Sequence, residues 1–312
     1  MSLMAPIHPE DAKFCTEFSL AVGEPLAGSG VHPQRNILIR WPKGRWQHSL
    51  RLAAEMGDPL VAAIEGAVAA GWRINLIDRK SDPSDLIRVF VFPDNVTLDL
   101  SPADLPGFLD MLSAAGRVPD DISVRPITAP LVLCCTHGKH DACCAKWGFA
   151  IYKALAAEAA RIRNFDVWEV THLGGCRLSA GVLVLPALRK YGRLRPVDAP
   201  ELLAAEARGM PYLPCYRGAS HLDPAAQVAE VAGLHQLARL GLHGVARVRA
   251  TGPDIYDISL PGGTATMHAE ADQLRSYGSC ADLKAKMPLK PKTVWRARLI
   301  SLTQTHPERT MP

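Results

Sequence analysis

Short apolar runs alternate with helix-period stretches along the first two thirds of the chain. Asn36 to Trp41 reads as a strand, ended by Pro42-Lys43-Gly44. His48 to Ala70 has helical spacing, broken near Gly57-Asp58-Pro59, with Pro59 at a helix start. Arg73 to Asp78 reads as a second strand. Leu86 to Phe92 alternates apolar and polar positions, and Pro93-Asp94-Asn95 turns it into Val96 to Leu100 as a hairpin. Ser101, with Asp104 three residues on, caps a helix running to about Ala115. Residues 1 to 35 carry Pro6, Pro9, Pro25 and Pro33 and the segment GEPLAGSG, and are expected to be irregular.

The same order then returns. Leu131 to Cys135 is an apolar strand, and from Cys144 the residues Trp147, Ile151, Leu155 and Ala159 share one helical face to about residue 160. Val167, Trp168 and Val170 mark another strand, followed by a hairpin of 181–186 and 190–195 and a helix from Asp198 to about Arg208. Each half reads strand, helix, strand, strand, strand, helix. That order predicts an α/β fold: two thioredoxin-like lobes in tandem, each with a parallel pair and an antiparallel hairpin. Identity between the halves is slight, so any repeat is one of structure. Beyond Pro211, Asp223-Pro224 starts a helix to about Leu240, and Val245 to Leu260 reads as two strands. A basic tail follows Tyr277, with Lys284, Lys286, Lys290, Lys292, Arg296 and Arg298. The expected units are 1–120, 121–215, and a helix-and-strand extension over 216–312 packed on the lobes.

Composition narrows the class. The 312 residues are 48% hydrophobic and 21% charged, an ordinary globular balance. A net charge of +4, with no aromatic-basic interleaving, argues against nucleic acid as partner. No apolar run reaches the roughly 20 residues of a membrane span. Glu10, Asp11 and Lys13 stand where a signal peptide would be apolar, so a cytoplasmic address is expected. Thiols stay reduced there, and clustered cysteines then read as metal-binding or redox-active.

Five of the eight cysteines lie between residues 131 and 194: Cys134-Cys135, Cys143-Cys144, and Cys176 four residues after His172. The first pair ends a strand. Thr136 to Asp141 is a turn-forming segment, and Gly174-Gly175 lets the chain bend sharply after the next strand. If these strands are parallel neighbours, both sets of ligand-type side chains converge at one carboxyl edge. Adjacent cysteines project differently, so one of each pair suffices for a given metal. Cys134 fits a core position, and Cys143 stays open as a substitute for Cys144. His137 and His140 read as solvated loop residues or supporting donors, and Cys15, Cys215 and Cys280 as unpaired packing thiols.

The segments CTHGKHDACCAKWG, VWEVTHLGGC and LVLPALRKYGRL resemble the sucrase/ferredoxin-like family of thioredoxin-like ferredoxins. CTEFSLAVGEPLAGSG, CYRGAS, PAAQVAE and SYGSCA resemble its flanking motifs, so the resemblance extends over nearly the whole chain. It implies a [2Fe–2S] cluster in the second lobe, making that a thioredoxin-like ferredoxin lobe. The family holds the cluster with a Cys-x8-Cys and a His-x3-His pair. Cys135 and Cys144 match the first pair and His172 the first histidine, while Cys176 stands at the second. The implied ligands are therefore Cys135, Cys144, His172 and Cys176, with Gly174 and Gly175 supplying backbone donors to the sulfurs. Arg177 is the expected nearby positive charge. An unidentified redox protein is the implied partner.

Three other readings compete. A thiol–disulfide oxidoreductase would fit the scaffold, but no CxxC stands between the first strand and helix. A structural Cys3His zinc site suits the ligand types, though the gap between Cys135 and Cys144 is long for a zinc knuckle. Sucrose hydrolysis follows only from the family name. It needs two carboxylates flanking the scissile bond, and the spacing of Asp141 and Glu169 singles out neither.

Overall fold

The computed structural model describes residues 7–79 and 85–304. Its first helix, α1 (Cys15–Ala21), is followed by β1 (Asn36–Arg40), α2 (Asp58–Ala69) and β2 (Arg73–Asp78). A hairpin of β3 (Ile87–Phe92) and β4 (Val96–Leu100), then α3 (Leu105–Ala115) and the short β5 (Arg125–Pro126), complete the first half. The second half repeats the order: β6 (Leu131–Cys135), α4 (Phe149–Ile162), β7 (Asp166–Val170), β8 (Val182–Leu185), β9 (Arg189–Tyr191) and α5 (Ala199–Ala207). The pairings repeat too. β1 and β2 are parallel, as are β6 and β7, while β3 and β8 pair antiparallel to the first strand of each set.

The halves are not separate sheets. β2 and β7 pair antiparallel through Ile77–Val170 and Asp78–Glu169. With β10 (Tyr216–Ala219) they make one ten-stranded sheet, ordered β10-β9-β8-β6-β7-β2-β1-β3-β4-β5. Strand alternation divides its residues between two faces. One face buries Ile37, Ile39, Ile74 and Leu76 against α2 and α3, and Val132, Cys134 and Val184 against α4 and α5. Leu38, Ile77, Phe90, Leu131, Leu133, Trp168, Val170 and Leu183 fill the other, which ends at Cys135 and is closed by Cys15 of α1 and Leu173.

α6 (Pro224–Arg239) follows β10, its Asp223 side chain accepting the Ala226 N–H at the first turn. It packs on a second sheet of β11 (Arg247–Gly252), β12 (Ile255–Leu260), β13 (Gly263–Ser276) and β14 (Lys290–Gln304), all antiparallel in sequence order. α7 (Cys280–Lys284) sits at the end of the β13–β14 hairpin.

Two expectations fail. Part of the supposedly irregular amino-terminal segment is α1; Pro6 lies outside the described residues. Residues 48–57 are not helical: Trp46 bridges Ala53, and the Leu50 carbonyl accepts the Thr171 hydroxyl at 2.6 Å. Backbone groups engaged in this way are withdrawn from the helical ladder. The basic tail is mostly β14, where Arg298 pairs with Glu270 at 2.8 Å and Arg296 with Asp272 at 3.3 Å, so part of its charge is spent across the hairpin. No helix among the described residues is long and apolar enough to cross a membrane.

Candidate metal centre

β6 and β7 are parallel neighbours, so their carboxyl ends lie side by side and the residues after them share one edge. Cys134 points toward α4 and is core, while Cys135 points to the opposite face. A wide π turn over Cys144–Gly148 leads into α4 and places Cys144 beside Cys135, with sulfurs 3.4 Å apart. This close approach needs glycine at 148, because a Cβ there would stand 1.9 Å from the Cys135 carbonyl oxygen. After β7 the chain turns through Gly174 (φ 92°) and Gly175 (φ 81°), a left-handed conformation that side chains rarely tolerate. That turn brings Cys176 back over the sheet edge. Its sulfur lies 3.7 Å from that of Cys144 and 3.2 Å from His172 Nδ1.

The four side chains thus meet. With that of His140, a fifth residue, their ligand atoms fall into two overlapping sets, each within 4.8 Å: Cys135, Cys144 and His172, and His140, His172 and Cys176. Cys143 takes no part. It faces Cys15 and Cys280, two thiols expected merely to pack, and among the described residues Cys215 alone of the three outlying cysteines stays apart from these groups.

The groups polarise one another. Cys144 donates to both neighbours, and this, against burial, holds Cys135 well below the usual thiol range and Cys176 down at about 3. The same two bonds, with burial, raise Cys144 well above the usual thiol range. Burial disfavours a charge on His172, but hydrogen bonds to the Cys135 and Cys176 thiolates outweigh it and hold the ring at about 9. His140 is raised chiefly by Cys176 and lies against His172, ring centroids 4.0 Å apart. His137 is buried, its Nδ1 accepting the His172 N–H at 3.3 Å, so it supports the site and is not solvated.

Three successive carbonyls of the loop after β7 are each held by a cationic side chain. Arg73 donates to the His172 carbonyl at 2.7 Å, Lys190 Nζ to that of Leu173 at 2.7 Å, and Arg217 to that of Gly174 at 3.3 Å. Asn75 adds bonds to the carbonyls of Thr171 and His172. In trans peptides C=O and N–H point oppositely, so the N–H groups of Leu173, Gly174 and Gly175 face away from these cations. Lys190 and Arg217 are almost fully buried, and burial pushes both down, Arg217 to about 9. Arg177 instead engages the buried Glu24 at 2.6 Å. Sequence reasoning missed Arg73, Asn75, Lys190 and Arg217. A cavity of about 390 Å³ opens over this loop, lined by His32, Arg73, His172, Gly175, Lys190 and Arg217 among others.

A sucrase/ferredoxin-like family model matches residues 26–218, well over half of the chain. The chain belongs to this family. The sucrase/ferredoxin-like span takes in the sheet from β1 into β10 and all four converging side chains; α1 and the second sheet lie outside it. Among solved structures, the thioredoxin-like [2Fe–2S] ferredoxin from Aquifex aeolicus is similar at 16% identity, covering 28% of this chain and 89% of that one, with a TM-score of 0.26. Another structure of the wild-type ferredoxin gives 16% identity over 28% of this chain and 95% of that one, again with a TM-score of 0.26. No curated protein matches significantly.

Proposed function

We propose that this member of the sucrase/ferredoxin-like family is an electron-transfer protein whose second half holds a [2Fe–2S] cluster. The observation that carries the reading is the meeting of three thiols and one imidazole from two parallel strand ends, beside a loop whose carbonyls are tied to cations. The donor set fits the group: thiolates are its usual ligands and imidazole their main replacement. The shortest separations pair Cys135 with Cys144 and His172 with Cys176, which divides the ligands two to each iron. His172 belongs to both sets of close donor atoms, and His140 lies beside it in the second.

When bound, such a cluster accepts and returns one electron at a time. The chain's own residues supply the rest. Arg73 and Arg217 place positive charge beside a group that gains negative charge on reduction, and Lys190 holds the Leu173 carbonyl between them. The N–H groups of Leu173, Gly174 and Gly175 are left to face the cluster sulfurs. One imidazole among the ligands sets the potential above an all-cysteine centre and below a two-histidine one. His172 is half-exposed on the cavity floor, which makes that opening the proposed docking edge for a redox partner.

A dithiol–disulfide couple of Cys135 and Cys144 is the second reading, because their sulfurs are 3.4 Å apart. Sugar hydrolysis finds no support in the carboxylates: Glu169 is ion-paired with Lys43, and Asp141 accepts the backbone N–H groups of Cys143 and Cys280. Anaerobic purification separates the readings. Red-brown protein carrying iron, bleached by dithionite, supports the cluster. Colourless protein without iron sinks it, as does insulin reduction by an iron-free chain.

A further inference from the structure

Away from the four proposed cluster ligands, three more thiols converge from segments far apart in sequence. The sulfurs of Cys15 and Cys143 are 3.4 Å apart, those of Cys143 and Cys280 3.2 Å, and those of Cys15 and Cys280 3.5 Å. Cys15 opens α1, Cys143 precedes the π turn, and Cys280 opens α7. Cys15 and Cys143 are fully buried and Cys280 half-buried. The Asp141 carboxylate completes the group, all four ligand atoms lying within 4.8 Å of one another.

The carboxylate also ties the ligand-bearing backbones together. One oxygen accepts the Cys143 N–H at 2.8 Å and stands 4.0 Å from the Cys15 sulfur, while the other accepts the Cys280 N–H at 2.9 Å. The Cys15 N–H in turn points at the Cys280 sulfur, 3.5 Å away. Such backbone bonds orient ligands before an ion arrives.

We propose that Cys15, Cys143, Cys280 and Asp141 bind one zinc ion, which pins α1 and α7 to the segment carrying Cys144. Tetrahedral zinc with bonds of about 2.3 Å to sulfur sets its thiolates about 3.8 Å apart, so the three need to open by only a few tenths of an ångström. A soft donor set of three thiolates favours zinc over magnesium or calcium. Each thiol gives up its proton to solvent as its bond to the ion forms. Two of these cysteines lie outside the span matched by the family, so the site joins the parts of the chain on either side of it.

Zinc and iron per chain, measured on the anaerobically purified full-length protein and on single variants, test this. The wild type is expected to carry one zinc besides its iron. Cys15→Ser and Cys280→Ser should weaken zinc binding roughly 100-fold or more, against a chromophoric chelator, with iron content unchanged. Cys135→Ser should lose iron and keep the zinc, so failure of the cluster reading shows separately. Should a serine variant not fold, the wild type still decides: zinc should protect Cys15, Cys143 and Cys280 from alkylation, and a chelator should expose them. Full zinc binding by Cys280→Ser, a wild type that takes up no zinc, or equal alkylation with and without zinc would each overturn the proposal.

Discussion

The guanidinium of Arg73 on β2 donates to the carbonyl of His172, 99 residues later, at 2.7 Å. The half of the sheet without a proposed ligand therefore sets the backbone of a residue in the half that holds all four. Asn75, two residues along β2, bonds the same carbonyl at 3.2 Å and the Thr171 hydroxyl at 3.1 Å. Pairing of β2 with β7 makes this reach possible.

Replacing Arg73 by leucine should therefore cost about 1–3 kcal/mol of stability, the range for losing a charged donor to a buried acceptor. It should also hasten bleaching of the visible absorption in air. Urea unfolding and bleaching rates, compared with the wild type, check both, and unchanged values would mean that Arg73 does not position the loop.

Gly148→Ala should be more disruptive. Its Cβ would stand 1.9 Å from the Cys135 carbonyl oxygen, so either β6 or the π turn must move. A loss of about 2–3 kcal/mol or more is expected, with a matching fall in iron per chain. Normal stability with normal iron would show that Cys135 and Cys144 need no such close approach.

Arg217→Met removes a buried cation from the loop, where its guanidinium holds the Gly174 carbonyl at 3.3 Å. Reduction adds negative charge nearby, so the variant should have a lower reduction potential, by roughly 40–90 mV for one to two kcal/mol. A potentiometric titration followed by visible absorption reads the shift. A higher potential would contradict the assigned role.

His32 should make the protein acid-sensitive. Burial, then the charges of Lys190 and Arg73, hold it at about 3 from an ordinary value of 6.5. Between those values the unfolded chain binds the proton that the folded one refuses. Stability is thus full above about pH 6.5 and falls as the pH drops toward 3, by up to about 1.4 kcal/mol per unit. Urea midpoints at pH 7 and pH 5 should fall less in His32→Gln than in the wild type, and equal falls would show that His32 protonates freely in the fold.

The repeated strand–helix order was legible because strands and helices differ in apolar pattern: β6 is a short unbroken apolar run, whereas α4 buries Ile151, Leu155 and Ala159 at four-residue spacing. The meeting of cysteine and histidine side chains at one sheet edge was legible from the glycine-rich turns after β6 and β7, while the choice of Cys135, Cys144, His172 and Cys176 rested on the family resemblance. The cationic side chains around the loop were not, since Arg73, Lys190 and Arg217 reach it from three strands that local pattern places only singly. Cys15 and Cys280 were read as packing thiols for a similar reason: 265 residues separate them, and only the tertiary fold puts their sulfurs 3.5 Å apart. Residues 48–57 misled because their helical spacing takes no account of Thr171, which claims the Leu50 carbonyl.

Pulsed paramagnetic resonance of the dithionite-reduced protein tests the cluster assignment most directly, because it detects nitrogen bound to the paramagnetic centre. One strongly coupled imidazole nitrogen is expected in the wild type, absent from His172→Cys, whose reduction potential should also be lower. An unaltered nitrogen signal in that variant, or a reduced protein with no paramagnetic centre, would contradict it.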